Sequence, residues 1–107
     1  MLYEYRRYVV VPGRMPDLQR RFRERTVPIW RRIDIRPVGF WDPVIGNYNE
    51  FHYILAWRDL AERESKWAEF QADPEWLAVR TESESRGPLV ASVHNEIWSG
   101  TDFSELR

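Results

Sequence analysis

Pro37-Val38-Gly39-Phe40-Trp41-Asp42-Pro43-Val44, followed by Gly46-Asn47-Tyr48-Asn49 and then by Phe51-His52-Tyr53-Ile54-Leu55-Ala56-Trp57, is the stretch on which the fold turns. Two runs rich in aromatic and β-branched residues flank a segment of turn formers. The first kind packs well on a pleated surface, and Gly and Asn tolerate the backbone conformations of a tight reversal. The stretch reads as a β-hairpin in the middle of the chain.

On either side of the hairpin the apolar period changes from two to that of a helix. Upstream, Pro16 suits a first helical turn, and Leu18, Phe22, Ile29 and Ile33 recur at near-whole helical turns between Arg-rich faces. Pro28 inside this pattern removes a backbone donor, so the helix is expected to kink or break there. Downstream, Asp59 is placed to cap a helix beginning at Leu60, and Asp73-Pro74-Glu75-Trp76 starts a further short helix running to about Ser85. At the ends of the chain, Leu2–Val11, closed by Pro12-Gly13, and Leu89–Trp98, opened by Gly87-Pro88, read as strands. Residues 1–99 then form one α+β domain of order β-α-β-β-α-β, and residues 100–107 a polar tail. That order is the ferredoxin-like arrangement, an antiparallel sheet with both helical segments on one face.

Composition agrees with a packed domain that has a surface to spare. Of 107 residues, 43% are hydrophobic and 15% aromatic, including six Trp, more than one small core readily hides. A sheet covered on one face only leaves an aromatic face in water, and stacking on a second copy removes it. A homodimer through the sheet face, enclosing a lumen, is the expectation. No Cys is present, so neither disulfides nor a thiolate metal cage contributes. The charged opening residues lack the apolar run of a signal peptide, and no apolar run approaches membrane-spanning length, which points to a cytoplasmic protein with no membrane partner.

The formal net charge of −1 hides an asymmetry. Arg14–Arg36 holds eight Arg against three acids, whereas Asp59–Arg86 holds eight acids against four bases. A basic helix can be a nucleic-acid footprint, but two helical regions of opposite sign side by side complement each other, and that second reading is preferred.

The same motifs resemble the NIPSNAP family: Leu2-Tyr3-Glu4-Tyr5-Arg6-Arg7-Tyr8 with Pro12-Gly13, Val38-Gly39-Phe40-Trp41, Gly46, Ala56-Trp57 through Leu60-Ala61-Glu62-Arg63, Asp73-Pro74-Glu75-Trp76, and Pro88-Leu89-Val90 with Asn95. The resemblance implies a dimeric α/β barrel related to small monooxygenases. It also marks departures. A His common in strand three of the family stands here as Tyr53, a Trp as Leu55, and a Glu of strand four as His94.

Candidate site residues follow from strand alternation and chemistry. Glu4, Arg6 and Tyr8 share one face of strand one. If that face lines the lumen, a carboxylate, a guanidinium and a phenol converge to orient an acidic or phenolic ligand; otherwise they form an interface ion pair. His52 and His94 are the two histidines, the residue type whose unperturbed side chain titrates near neutrality, which makes them candidates for proton transfer, and neither sits in a metal-ligand spacing. The catalytic set is Glu4, Tyr8 and His94. Arg6, Trp41, His52, Tyr53 and Trp57 are the ligand-binding set, the aromatics Trp41, Tyr53 and Trp57 forming either a wall for a planar molecule or part of the core or dimer contact. No Gly-rich phosphate loop, dinucleotide fingerprint or nucleophile elbow is present, so no cofactor is implied. The functional expectation is a small, partly aromatic metabolite bound in the lumen, with cofactor-independent monooxygenase, isomerase or cyclase chemistry as one version. The alternative is a non-catalytic dimerisation or protein-interaction domain.

Overall fold

A computed structural model describes all 107 residues. In chain order it contains β1 (Leu2–Val10), α1 (Met15–Arg21), a π-helical turn (Phe22–Thr26), α2 (Val27–Ile33), β2 (Arg36–Trp41), β3 (Glu50–Trp57), α3 (Leu60–Ala72), α4 (Pro74–Ser83) and β4 (Val90–Ser99). The four strands form one antiparallel sheet in the order β2-β3-β1-β4, the ferredoxin-like α+β topology. The helices lie on one face. From Gly100 onward the chain has no helix or strand.

Local chemistry sets most of the boundaries. Asp59 accepts a hydrogen bond from the Glu62 amide at 2.8 Å and Asp73 one from the Trp76 amide at 2.9 Å, so both expected N-caps are made. The second strand ends at Trp41 rather than Val44, just before Asp42-Pro43, where proline has no N–H to offer the ladder. The helix carrying Pro28 neither breaks nor stops. The Val27 amide bonds back to the Phe22 carbonyl, five residues away, and this widened turn precedes the proline ring, which a regular α-turn would press against the carbonyl of Glu24. Asp34, at φ 67°, closes α2 in the left-handed conformation, and the Ile35 amide bonds the Trp30 carbonyl at 2.8 Å.

The core lies between the sheet and the helices. Trp30 is its centre, packing against Phe22, Phe40, Tyr53, Trp67 and Phe70 with ring centroids 5.6–6.3 Å apart. From the sheet, β3 contributes Phe51, Tyr53, Leu55 and Trp57, all buried and all on one face.

The charge asymmetry resolves inside the molecule. Arg21 pairs with Glu84, Arg25 with Glu82, and Arg32 with Asp73 and Glu75, while Lys66 reaches Asp34. The basic first helical region and the acidic second one face each other along these contacts, as the complementary reading expected.

Candidate functional site

Glu4 and Arg6 sit on the face of β1 that the helices cover. The antiparallel register sets Glu4 opposite Leu55 and Ile97, Arg6 opposite Tyr53 and Asn95, and Tyr8 opposite Phe51 and Val93. Glu4 is fully buried. Its Oε1 accepts from Arg63 Nε (2.8 Å) and Trp57 Nε1 (3.0 Å), and its Oε2 from Arg63 Nη2 (3.0 Å), Arg6 Nη1 (3.0 Å) and Asn95 Nδ2 (2.9 Å). A carboxylate offers about four lone-pair sites, so these donors saturate it. Burial alone pushes the Glu4 carboxyl up, but the bonds from Arg63 and Asn95, the Arg6 charge and the Trp57 bond together outweigh that and hold its pKa at about 2. Glu4 is an anchor for two guanidinium groups and has no proton to give near neutrality.

From Arg6 the network runs outward. Arg6 Nε donates to the Tyr53 hydroxyl at 2.7 Å, and the hydroxyls of Tyr53 and Tyr8 share a hydrogen bond at 2.8 Å. The Arg6 guanidinium lies over the Trp67 ring, 4.6 Å from its centroid. Tyr53 is fully buried, and that burial, with Tyr8 beside it, outweighs the nearby Arg6 and raises its hydroxyl well above the usual phenol range. Arg6 and Tyr8 line a solvent-open cavity of about 400 Å³ bounded by Trp67, Phe70 and Trp76 from α3 and α4 and by the first residues of β4. A cavity of about 420 Å³ beside β2 is bordered by Phe40, Trp41 and Phe51, and a polar hollow of about 290 Å³ between α1 and α4 is lined by the arginine and glutamate side chains that cross it. Only the first of these three includes Arg6 and Tyr8 among its walls.

The structure divides the expected site in two. Glu4, Arg6, Tyr8, Tyr53 and Trp57 converge beneath the helices, so the polar face of β1 does not line a space between stacked sheets, as the lumen reading required. Tyr53 and Trp57 have no exposed surface and serve as supports, Trp57 by holding Glu4. His52, His94 and Trp41 point the other way, onto the open face, and do not meet Glu4 or Tyr8. There the Tyr5 hydroxyl contacts His52 Nδ1 at 2.9 Å, and His94 Nε2 lies 2.7 Å from Glu96 Oε2. Arg63 and Asn95, central to the network, appear in the sequence only as motif residues. Arg21 has no sequence signal beyond its place in a basic helix. No group of three or more His, Cys, Asp or Glu side chains is placed to hold a metal ion, and no helix is long and apolar enough to cross a membrane.

The NIPSNAP family model matches residues 3–105, nearly the whole chain. The chain belongs to the NIPSNAP family. Among solved structures, this NIPSNAP chain is similar to a NIPSNAP family protein of unknown function from Agrobacterium tumefaciens: 28% identity, TM-score 0.87, covering 100% of this chain and 94% of that one. A second NIPSNAP family protein from the same organism is 25% identical, with TM-score 0.88 over 99% of this chain and 98% of that one. A more distant likeness is to a candidate antibiotic biosynthesis monooxygenase from Nitrosomonas europaea, at 10% identity and TM-score 0.65 over 94% and 98% of the two chains, which is a likeness of fold alone. A search of curated protein sequences finds no significant match.

The depressed Glu4 pKa gives the NIPSNAP domain a defined acid response. With a folded value of about 2 against an ordinary 4.5, the native state binds fewer protons than the unfolded one in between. The stability contributed by the Glu4 cluster is therefore complete above pH 4.5 and is lost as pH falls through 4.5 towards 2. Urea midpoints measured from pH 6 down to pH 3 are expected to fall, and to fall less steeply in Glu4→Gln; equal slopes for the two proteins would refute the assignment.

Proposed function

We propose that this domain is a homodimeric binding protein for a small, partly aromatic molecule, seated in each protomer between the β1/β4 half of the sheet and helices α3 and α4. The observation that carries the reading is the Arg6–Tyr53–Tyr8 hydrogen-bonded chain at the wall of the aromatic cavity. Ligand sites combine apolar walls with a few fixed polar groups, and about 400 Å³ lies within the usual range of such pockets, about 300–1,000 Å³. Glu4 fixes Arg6 from behind, so a ligand meets a guanidinium already oriented.

The dimer half of the proposal is supported by the open sheet face. Tyr5 stacks on Trp98 at 5.3 Å and on His52 at 5.9 Å, and Trp41 and Trp98 are 49% and 43% exposed. The protomer is also flat, 46 × 36 × 20 Å, and its radius of gyration of 14.5 Å exceeds the ~13 Å expected for a compact chain of this length. A second copy on the open face would complete the second layer of aromatic burial. Catalysis of the cofactor-independent monooxygenase, isomerase or cyclase kind would rest on Tyr8 and Glu84, the phenol and the carboxylate that line the cavity, and not on Glu4 or His94. The alternative of a dimerisation or protein-interaction domain without a ligand draws on the same open face.

Native mass spectrometry of freshly purified protein tests both halves at once. A dimer carrying additional mass that dissociates on activation is the expected result. A monomer at micromolar concentration overturns the dimer, and failure of the apo protein to take up any aromatic probe overturns the cavity.

A further inference from the structure

Resting on the binding reading above, we infer that the molecule this cavity accepts is an aromatic carboxylate, with its anionic group held by Arg21 together with Arg6. The cavity is over-supplied with guanidinium charge. Arg6 and Arg63 share a single carboxylate, Glu4, while Arg21 and Arg80 share another, Glu84, at the looser distances of 3.7 and 3.3 Å. Arg63 lies outside the hollow and Arg80 is more than half exposed, so the charge left short of a close partner inside it is that of Arg21. Unmatched charge inside a protein is costly, and an anionic ligand removes that cost on entry.

Arg21 is the group that shows the shortfall directly. Its side chain is only 9% exposed, it lines the cavity with Arg6 and Tyr8, and its Nε is buried with no hydrogen-bond acceptor. Its remaining contacts are one bond from Nη1 to Ser83 Oγ at 3.2 Å and a face-on approach to the Trp76 ring at 5.1 Å. Burial pulls its pKa down more than Glu84 restores it, as expected for a charge lacking a close partner. A planar guanidinium with a free Nε–H matches a carboxylate edge, which takes two parallel N–H bonds. Trp67, Phe70, Trp76 and Val90 then supply flat and apolar surface for the ring attached to that carboxylate. A dry cavity of about 150 Å³ holds one benzene ring, so about 400 Å³ accommodates a bicyclic acid.

The test uses the full chain with two probes of equal shape, 2-naphthoate and its neutral amide 2-naphthamide, followed by calorimetry and by the arginine Nε–Hε signals in a nitrogen–proton correlation spectrum. The acid is expected to bind at least ~10-fold tighter than the amide, because a site built to bond one group rejects an analogue lacking it. The Arg21 Nε–Hε signal should shift on adding the acid, and higher salt should weaken the acid but not the amide. In Arg21→Gln the preference should fall to within about twofold, since the paired N–H donors and the charge are both gone. If Arg21→Gln does not fold, Arg21→Lys keeps the charge beside Glu84 and should lose part of the preference. Equal affinity for acid and amide overturns the carboxylate assignment and leaves the aromatic cavity standing. Failure of both probes to bind at millimolar concentration, or binding that leaves the cavity signals unmoved, overturns the cavity reading and this inference with it.

Discussion

Glu4→Ala is expected to remove about 3–5 kcal/mol of folding stability, the range found when one partner of a buried ion pair is deleted. Domains of this size have only about 5–15 kcal/mol in all, so the variant should be close to unfolding at room temperature. The reason is not the loss of a surface salt bridge. Glu4 is the one carboxylate within ion-pair distance of both Arg6 and Arg63, and it also satisfies the indole N–H of Trp57, which has no exposed surface. Deleting it leaves the guanidinium groups of Arg6 and Arg63, the buried indole donor of Trp57 and the amide donor of Asn95 without their shared acceptor, and leaves the volume of a fully buried side chain empty.

Glu4→Gln separates these contributions. It keeps the volume and one acceptor oxygen but replaces the charge and turns the other oxygen into a donor facing Arg6 and Arg63. A loss of at least about 2 kcal/mol in chemical denaturation is expected, as for a buried charge left without its counterion. A cost under about 0.5 kcal/mol, the range of ordinary surface substitutions, would show that the cluster is solvated in solution and would remove the argument for a pre-oriented Arg6. Ligand affinity should follow stability here, because Glu4 acts on the cavity only through Arg6.

How far such a cluster is legible in the sequence depends on the range of the forces that build it. The hairpin, the caps at Asp59 and Asp73 and the register of apolar residues on β3 are set by neighbours a few positions apart, and each could be read directly. The answer to Pro28 was also local, yet a break and a π-turn are both ways of keeping a proline in a helix, and only packing of Phe22 and Trp30 against the sheet favours the continuous form. The faces of β1 were not legible. Alternation places Leu2, Glu4, Arg6, Tyr8 and Val10 on one face and Tyr3, Tyr5, Arg7 and Val9 on the other, and since each set mixes charged with apolar residues, neither reads as the core side from β1 alone. The structure turns the Glu4 face to the helices because Arg6 lies opposite Tyr53, whose neighbours Phe51, Leu55 and Trp57 must face them. The decisive signal therefore sat on β3, and using it required the pairing between strands nearly fifty residues apart. For the same reason His94 could not be joined to or parted from Glu4 by spacing alone.

Tyr5→Lys is expected to weaken the proposed dimer roughly a thousandfold while leaving the protomer folded. Tyr5 lies on the open face of an inner strand, opposite Ile54 on β3 and Glu96 on β4, and its ring forms the middle of the stack with His52 and Trp98. Within one protomer the new ammonium faces Glu96 across the strand pair, a favourable cross-strand arrangement, so folding stability should change by no more than about 1 kcal/mol. At a sheet-on-sheet interface the balance differs. The charge must leave water, the aromatic ring that filled the space is gone, and a twofold axis makes both happen twice. A cost of about 2 kcal/mol at each of two sites multiplies to about three orders of magnitude in the dissociation constant. Sedimentation equilibrium across a dilution series, with circular dichroism as the folding control, measures it. A dimer of unchanged affinity would move the interface off this face, to an edge such as the exposed β4, where exposure of Val93 and Ile97 at 48% and 38% offers the next apolar surface. Loss of dimer with the cavity's affinity for 2-naphthoate retained would show that each protomer holds a complete site, because that site lies on the opposite face of the sheet from Tyr5.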